Sequence, residues 1–154
     1  MKDPYVNSNG VLLNKLNIED YDTLYQAEAD IGFLKLITVD SVETNLYDED
    51  LIRRIHKHIF GEIFVWAGEY RTVPLVKEEV VLPRYSLPYG DYRHISSELS
   101  SKLKDLDSVC WSKMSKEEIA FTFSRRLALI WRVHPFRDGN TRTILSFACI
   151  YARD

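Results

Sequence analysis

His134, Asp138 and Arg142 stand at steps of four near one end of the sequence, with Pro135-Phe136-Arg137 and Gly139-Asn140-Thr141 between them. An imidazole with an ordinary pKa of about 6.5 can take a proton from a hydroxyl near neutral pH. The carboxylate of Asp138 is the hard oxygen ligand that Mg²⁺ prefers. Gly139 can adopt a positive φ, Asn140 brings an amide, and Arg142 brings a permanent cation. In nine residues the chain gathers what is needed to hold a phosphate-linked group beside an activated hydroxyl.

Positioning these groups requires a helix, a tight loop and a second helix. Ser115 and Glu118 have capping-box spacing, and Ile119, Phe123, Leu127 and Ile130 follow at helical steps. Pro135 disfavours helix in the residue before it, so His134 is expected where the incoming helix stops. Asp138-Gly139-Asn140 is turn chemistry. A second helix should begin near Thr141 and carry Ile144, Leu145, Ala148 and Tyr151. Its N-terminus favours an anion, because free backbone N–H groups and the positive end of the dipole meet there. A cation at Arg142, in the first turn, runs against that dipole and makes better sense if a phosphate shares the site.

The segment His134–Arg142 resembles the signature of the Fic family, HxFx(D/E)GNGRxxR. Val11-Leu12-Leu13-Asn14-Lys15-Leu16 is similar to the family's "VLxNKL" segment, and Phe64–Val73 to its "YxWAGxxRTV" segment. The matches run from about Val11 to the last helix. The resemblance implies a mainly α, Fic-fold helical bundle with a short β-hairpin flap near the active-site loop. It also implies a protein adenylyltransferase that moves AMP from ATP to a Ser, Thr or Tyr hydroxyl of a target protein. On that basis His134 is the base and Phe136 anchors the loop in the core. Asp138 holds Mg²⁺, while Gly139, Asn140, Thr141 and Arg142 bind the nucleotide phosphates.

Two positions depart from the family pattern. Thr141 replaces the second glycine of Gly-Asn-Gly; in the related Doc proteins this position is lysine, and the reaction implied is phosphate transfer. Leu145 stands where the second arginine would be, removing about 1.5–3 kcal/mol of charged phosphate contact. The family's inhibitory pattern (S/T)xxxE(G/N), whose glutamate pairs with that arginine, has no match in this chain. Inhibition, if present, is expected from another device or from a separate antitoxin partner.

Length, composition and charge bound the remainder. A chain of 154 residues is expected to be one domain that buries about two thirds of its unfolded surface. The net charge of −3, with acids and bases interleaved, argues against a nucleic-acid partner. The first twenty residues are polar and have no signal-peptide core, and no apolar run reaches membrane-spanning length. Cys110 and Cys149 have no zinc or redox spacing, so both are expected as free thiols, with Cys149 buried on an apolar helix. Cytoplasmic synthesis is the expectation; delivery into another cell would leave no mark in these residues. The motif helix lies close to residue 154, and the resemblance leaves room for a C-terminal segment beyond it.

Elsewhere the pattern predicts helices from about Asp20 to Thr38, from Asp48 to Phe64 and from Asp91 to Asp107. His56, His58 and His94 lack carboxylates at metal spacing and are read as structural or surface residues. Trp66, Trp111 and Trp131 are read as core or edge aromatics. Between Arg71 and Tyr85, apolar and β-branched residues flank Lys77-Glu78-Glu79, which predicts a hairpin limited to an edge by Pro74. Val73, Leu75, Val80 and Leu82 would then present an edge to an extended target segment. Against transfer of AMP stand two alternatives: a catalytically silent Fic-like binding module, and transfer of a different nucleotide or phosphate.

Overall fold

The computed structural model describes residues 3–75 and 89–153. Five α-helices organise them: α1 (Tyr21–Ile37), α2 (Glu49–Phe60), α3 (Ile95–Asp107), α4 (Lys116–Val133) and α5 (Asn140–Arg153). Short 3₁₀ turns at Val39–Ser41, Tyr92–His94 and Trp111–Lys113 follow α1 and precede α3 and α4 respectively. Among the described residues there is no strand, only an isolated antiparallel bridge between Val6 and Leu12. The mainly α architecture is thus as expected. Val73 and Leu75, expected on the first strand of the hairpin, form none, and Val80 and Leu82 lie outside the described residues.

The helix boundaries follow from local chemistry. Asp20 caps α1 by accepting from the Thr23 backbone N–H at 2.8 Å, and Thr23 Oγ1 also donates to it at 2.7 Å. These bonds, the hydroxyl's first, hold its carboxyl below the usual carboxylate value. α2 ends at Phe60, four residues short of the expected Phe64. Gly61 turns the chain there, with its N–H on the Lys57 carbonyl at 2.8 Å; a Cβ on Gly61 would stand 2.4 Å from that oxygen. The reciprocal capping box of Ser115 and Glu118 opens α4 as its sequence indicates.

The chain divides into two compact units. The first comprises Met1–Leu46, Asp50–Glu69 and Thr141–Asp154. Its core includes Leu24, Ile52, Ile55, Ile59, Phe60, Phe64, Ile144 and Phe147, all buried. His56 is buried there too. Its Nδ1 accepts from the Gly68 N–H at 2.8 Å, and its ring lies against Phe60 and Trp66. It is structural, as the spacing indicated. Gly68, at φ +86°, needs the conformational freedom of glycine to place that donor.

The second unit comprises Tyr47–Glu49 and Tyr70–Asn140. α3 packs along α4, with Ile95, Leu99, Leu103, Leu106, Ile130 and Val133 buried. Arg126 on α4 reaches Asp105 on α3 at 3.7 Å, an exposed pair worth little in water.

One expectation on α5 is overturned. Cys149 is exposed, and so is Leu145, at 56 %. Thr141, Leu145 and Cys149 recur every fourth residue and share one face; that face is the solvent side, while Ile144, Phe147, Ala148 and Ile150 are buried. Residue chemistry suggested burial where helical phase decides against it.

Candidate active site

α4 stops at Val133, and His134 takes the left-handed conformation at φ 51°, ψ 62°, with its N–H on the Trp131 carbonyl. Pro135 accounts for the end of α4, since its ring disfavours right-handed helical geometry in the residue before it. Histidine is among the few non-glycine residues enriched in the left-handed region, yet the conformation still costs on the order of 1–2 kcal/mol. His134 is only 3 % exposed. The ring of Tyr89 stacks on its imidazole at 3.8 Å between centroids and 18° between planes, and Trp131 meets it edge-on at 5.9 Å. The ring plane is therefore set by aromatic neighbours on two sides.

The loop after His134 closes on itself. The Asn140 side chain accepts from the Phe136 N–H at 2.8 Å and donates from Nδ2 to the Phe136 carbonyl at 2.8 Å. Both residues are buried, and Phe136 is wholly inaccessible, packed near Tyr70 at 6.0 Å. Phe136 thus lies buried within the loop, and the Asn140 amide is occupied in closing it. Gly139, at φ +73°, makes the turn, and its N–H donates to Asp138 Oδ1 at 2.6 Å. Asp138 is partly exposed.

Among the described residues no group of three or more His, Cys, Asp or Glu side chains is arranged to hold a metal ion. A divalent ion held by Asp138 would therefore draw its other ligands from phosphate oxygens and water. A partly exposed carboxylate suits Mg²⁺, which commonly binds through one or two carboxylates and substrate phosphates.

In the first unit, Arg142 occupies the first turn of α5. Its Nη2 is ion-paired with Glu28 Oε1 on α1, and its guanidinium lies 4.5 Å from the centre of the Phe60 ring. Gly32 makes room for it: a Cβ there would meet Nη1 at 3.1 Å. The cation opposed by the helix dipole thus has a carboxylate and an aromatic face to stabilise it. A cleft of about 370 Å³ opens beside the pair, lined by Tyr25, Glu28, Ala29, Phe33, Leu36 and Arg142. Thr141 is exposed.

Of the residues expected to dock a target, Val73 is buried and its carbonyl is engaged by Arg71, while Leu75 is half-buried. Tyr89, Arg71, Glu28 and Phe60 were not singled out from the sequence. Only Arg71 carried a signal, as part of the Phe64–Val73 segment.

Across residues 46–152 the chain matches the model of the Fic/DOC family. The chain belongs to that family. It is 29 % identical over 160 residues to the protein adenylyltransferase VbhT of Bartonella schoenbuchensis, covering 99 % of this chain and 31 % of that protein. A probable protein adenylyltransferase of Sinorhizobium fredii is 32 % identical over 149 residues, covering 93 % of this chain and 71 % of its own length. The chain thus spans about a third of VbhT and about two thirds or more of the second relative. Among solved structures, the BepC effector of Bartonella tribocorum with bound AMPPNP superposes with a TM-score of 0.81 at 21 % identity. The match covers 97 % of this chain and 76 % of that one. The N-terminal Fic domain of a Bartonella quintana protein with bound ADP gives 0.73 at 23 % identity, over 94 % and 72 %. This Fic-family chain therefore shares its fold with proteins crystallised with adenine nucleotides. None of its helices is long and apolar enough to cross a membrane among the described residues.

Proposed function

We propose that this Fic-family chain is a protein adenylyltransferase, moving AMP from ATP to a Ser, Thr or Tyr hydroxyl of a target protein. The observation that carries the reading is the loop from His134 to Asn140. A buried imidazole of fixed ring plane begins it, a self-closed turn follows, and it runs directly into the N-terminus of a fourteen-residue helix. The adenylyltransferase names of two relatives point the same way.

In this reading the target hydroxyl approaches the imidazole of His134, which accepts its proton as the oxygen attacks the α-phosphorus. The new P–O bond forms in line with the bond to the β-phosphate, which breaks and releases pyrophosphate. Backbone N–H groups at Asn140 and Thr141, where α5 begins, would meet the phosphate charge after the Gly139 turn, and Arg142 would add a cation to it. Mg²⁺, bound by Asp138 and the phosphates, would neutralise charge on the leaving group. The chain's contribution is placement and fixed dipoles; it forms no covalent bond to the nucleotide.

The pairing of Arg142 with Glu28 favours a second reading, a Fic-like module that binds partners and transfers nothing. One assay divides the two. Protein, a cell lysate and Mg²⁺ are incubated with ATP labelled at the α or the γ position, using wild type and His134→Ala. Label from the α position that disappears in His134→Ala supports adenylyl transfer. Transfer of γ label alone means phosphate transfer, and nucleotide binding without transfer supports the silent module.

A further inference from the structure

Arg71 is 2 % exposed. Its Nε donates to the His134 carbonyl at 2.8 Å and its Nη1 to the Val73 carbonyl at 2.8 Å. Its Nη2 donates to the carbonyls of Gly90 at 2.5 Å and Val133 at 3.4 Å. The backbone N–H of the same residue donates to the Pro135 carbonyl at 2.9 Å. One residue thus grips three consecutive carbonyls, those of Val133, His134 and Pro135, where the chain passes through the left-handed conformation of His134.

Capping the end of α4 alone would need less. Carbonyls at a helix C-terminus lack intrahelical partners and carry partial negative charge, which suits a cation. Yet a lysine has a single nitrogen, whereas the planar fork of arginine presents five N–H donors in fixed directions. Here that fork also reaches Val73 and Gly90, well outside α4.

Gly90 sits flat against the end of α4. Its N–H donates to the Arg132 carbonyl at 3.2 Å, and a Cβ would meet Val133 O at 3.1 Å and Glu98 Oε2 at 3.0 Å. Its chain neighbour is Tyr89, whose ring covers the imidazole. Arg71 consequently holds the backbone on both sides of the His134–Tyr89 stack. A left-handed non-glycine residue persists only where its surroundings over-determine it, and here Arg71 provides that constraint.

We propose that Arg71 is the positioning residue of this site, setting the placement and ring plane of the His134 imidazole against Tyr89 through its simultaneous hold on the Val73, Gly90, Val133 and His134 carbonyls. The effect on transfer rests on the reading of His134 as the base; the effect on the imidazole does not. The test is Arg71→Lys, which keeps the charge and loses the fork. In protein carrying ¹⁵N-labelled histidine, the His134 ring resonances of Arg71→Lys should shift and broaden, and their pH titration should move. Its kcat for transfer should fall about 100-fold, the scale of an ångström misplacement, with KM for ATP within about threefold of wild type.

A folded Arg71→Lys whose His134 resonances and titration match wild type overturns the proposal. If His134→Ala keeps full transfer, the adenylylation mechanism fails, while the imidazole spectra still decide the role of Arg71. Should Arg71→Lys not fold, the wild-type Arg71 Nε–H decides instead. Slow exchange with solvent supports the hold on His134, and exchange as fast as that of exposed arginines overturns it.

Discussion

Removing the Asn140 amide tests whether the loop's shape is built in. Asn140→Ala strips the Phe136 N–H and C=O of the partners they have at 2.8 Å, in a place buried from water. A buried polar group left without its partner costs about 1–3 kcal/mol, so the pair should cost about 2–6 kcal/mol. With a urea m-value of about 2 kcal/mol/M, the unfolding midpoint should drop by about 1–3 M. Asn140→Asp sharpens the test, because a carboxylate can still accept from the Phe136 N–H but sets a second oxygen against the Phe136 carbonyl. That contact favours the protonated acid, raising the folded pKa above the unfolded value of about 3.9. A raised folded pKa contributes stability that is present below the unfolded value and lost as pH rises through the folded one. Asn140→Asp should therefore lie close to wild type at pH 4 and fall behind it by pH 7, by about 1.4 kcal/mol for each unit of elevation. Urea titrations followed by tryptophan fluorescence at both pH values measure this. An Asn140→Ala midpoint within about 0.2 M of wild type, or an Asn140→Asp deficit equal at the two pH values, would refute the reasoning.

Other substitutions follow from the same geometry. Glu28→Gln releases Arg142 from its carboxylate, and nucleotide affinity measured by calorimetry should rise about tenfold, the equivalent of about 1.4 kcal/mol; unchanged affinity would mean that Arg142 does not meet the phosphates. Because His134 is left-handed, His134→Gly should be more stable than His134→Ala by about 1 kcal/mol, seen in thermal melts, while neither transfers nucleotide. Asp91 is held well below the usual carboxylate range, first by the side-chain hydrogen bonds of Arg93 and then by its backbone N–H. A depressed folded pKa stabilises above the unfolded value and is lost as pH falls through the folded one, so Asp91→Asn should trail wild type at pH 7 and converge with it only in strong acid.

What the sequence made legible was whatever neighbouring residues decide together. Ser115 and Glu118 announce α4, Pro135 ends it, and Gly139 turns the loop, each acting on backbone within a few residues of itself. Hydrophobic phase exposed the interior of α3, with Ile95, Leu99, Leu103 and Leu106 buried as their spacing implies. Glu28 escaped notice because it meets Arg142 across 114 residues of chain, and nothing local in α1 marks it as a partner. Tyr89 likewise reaches His134 only through the fold. Arg71 stood in a recognisable segment, but four carbonyl acceptors cannot be read from residue types. The early end of α2 turned on Gly61, whose missing Cβ matters only once the Lys57 carbonyl is beside it.

The ion pair of Arg142 sets a boundary on what can be cut away. The match to the Fic/DOC family model begins at residue 46, yet the helix that supplies Glu28 and the notch at Gly32 lies wholly before it. A fragment trimmed to that match would carry every residue of the signature loop and still present a different Arg142, bared of its carboxylate and held by the face of Phe60 alone. Affinity measured on such a fragment would describe a cation that the longer polypeptide never leaves unattended.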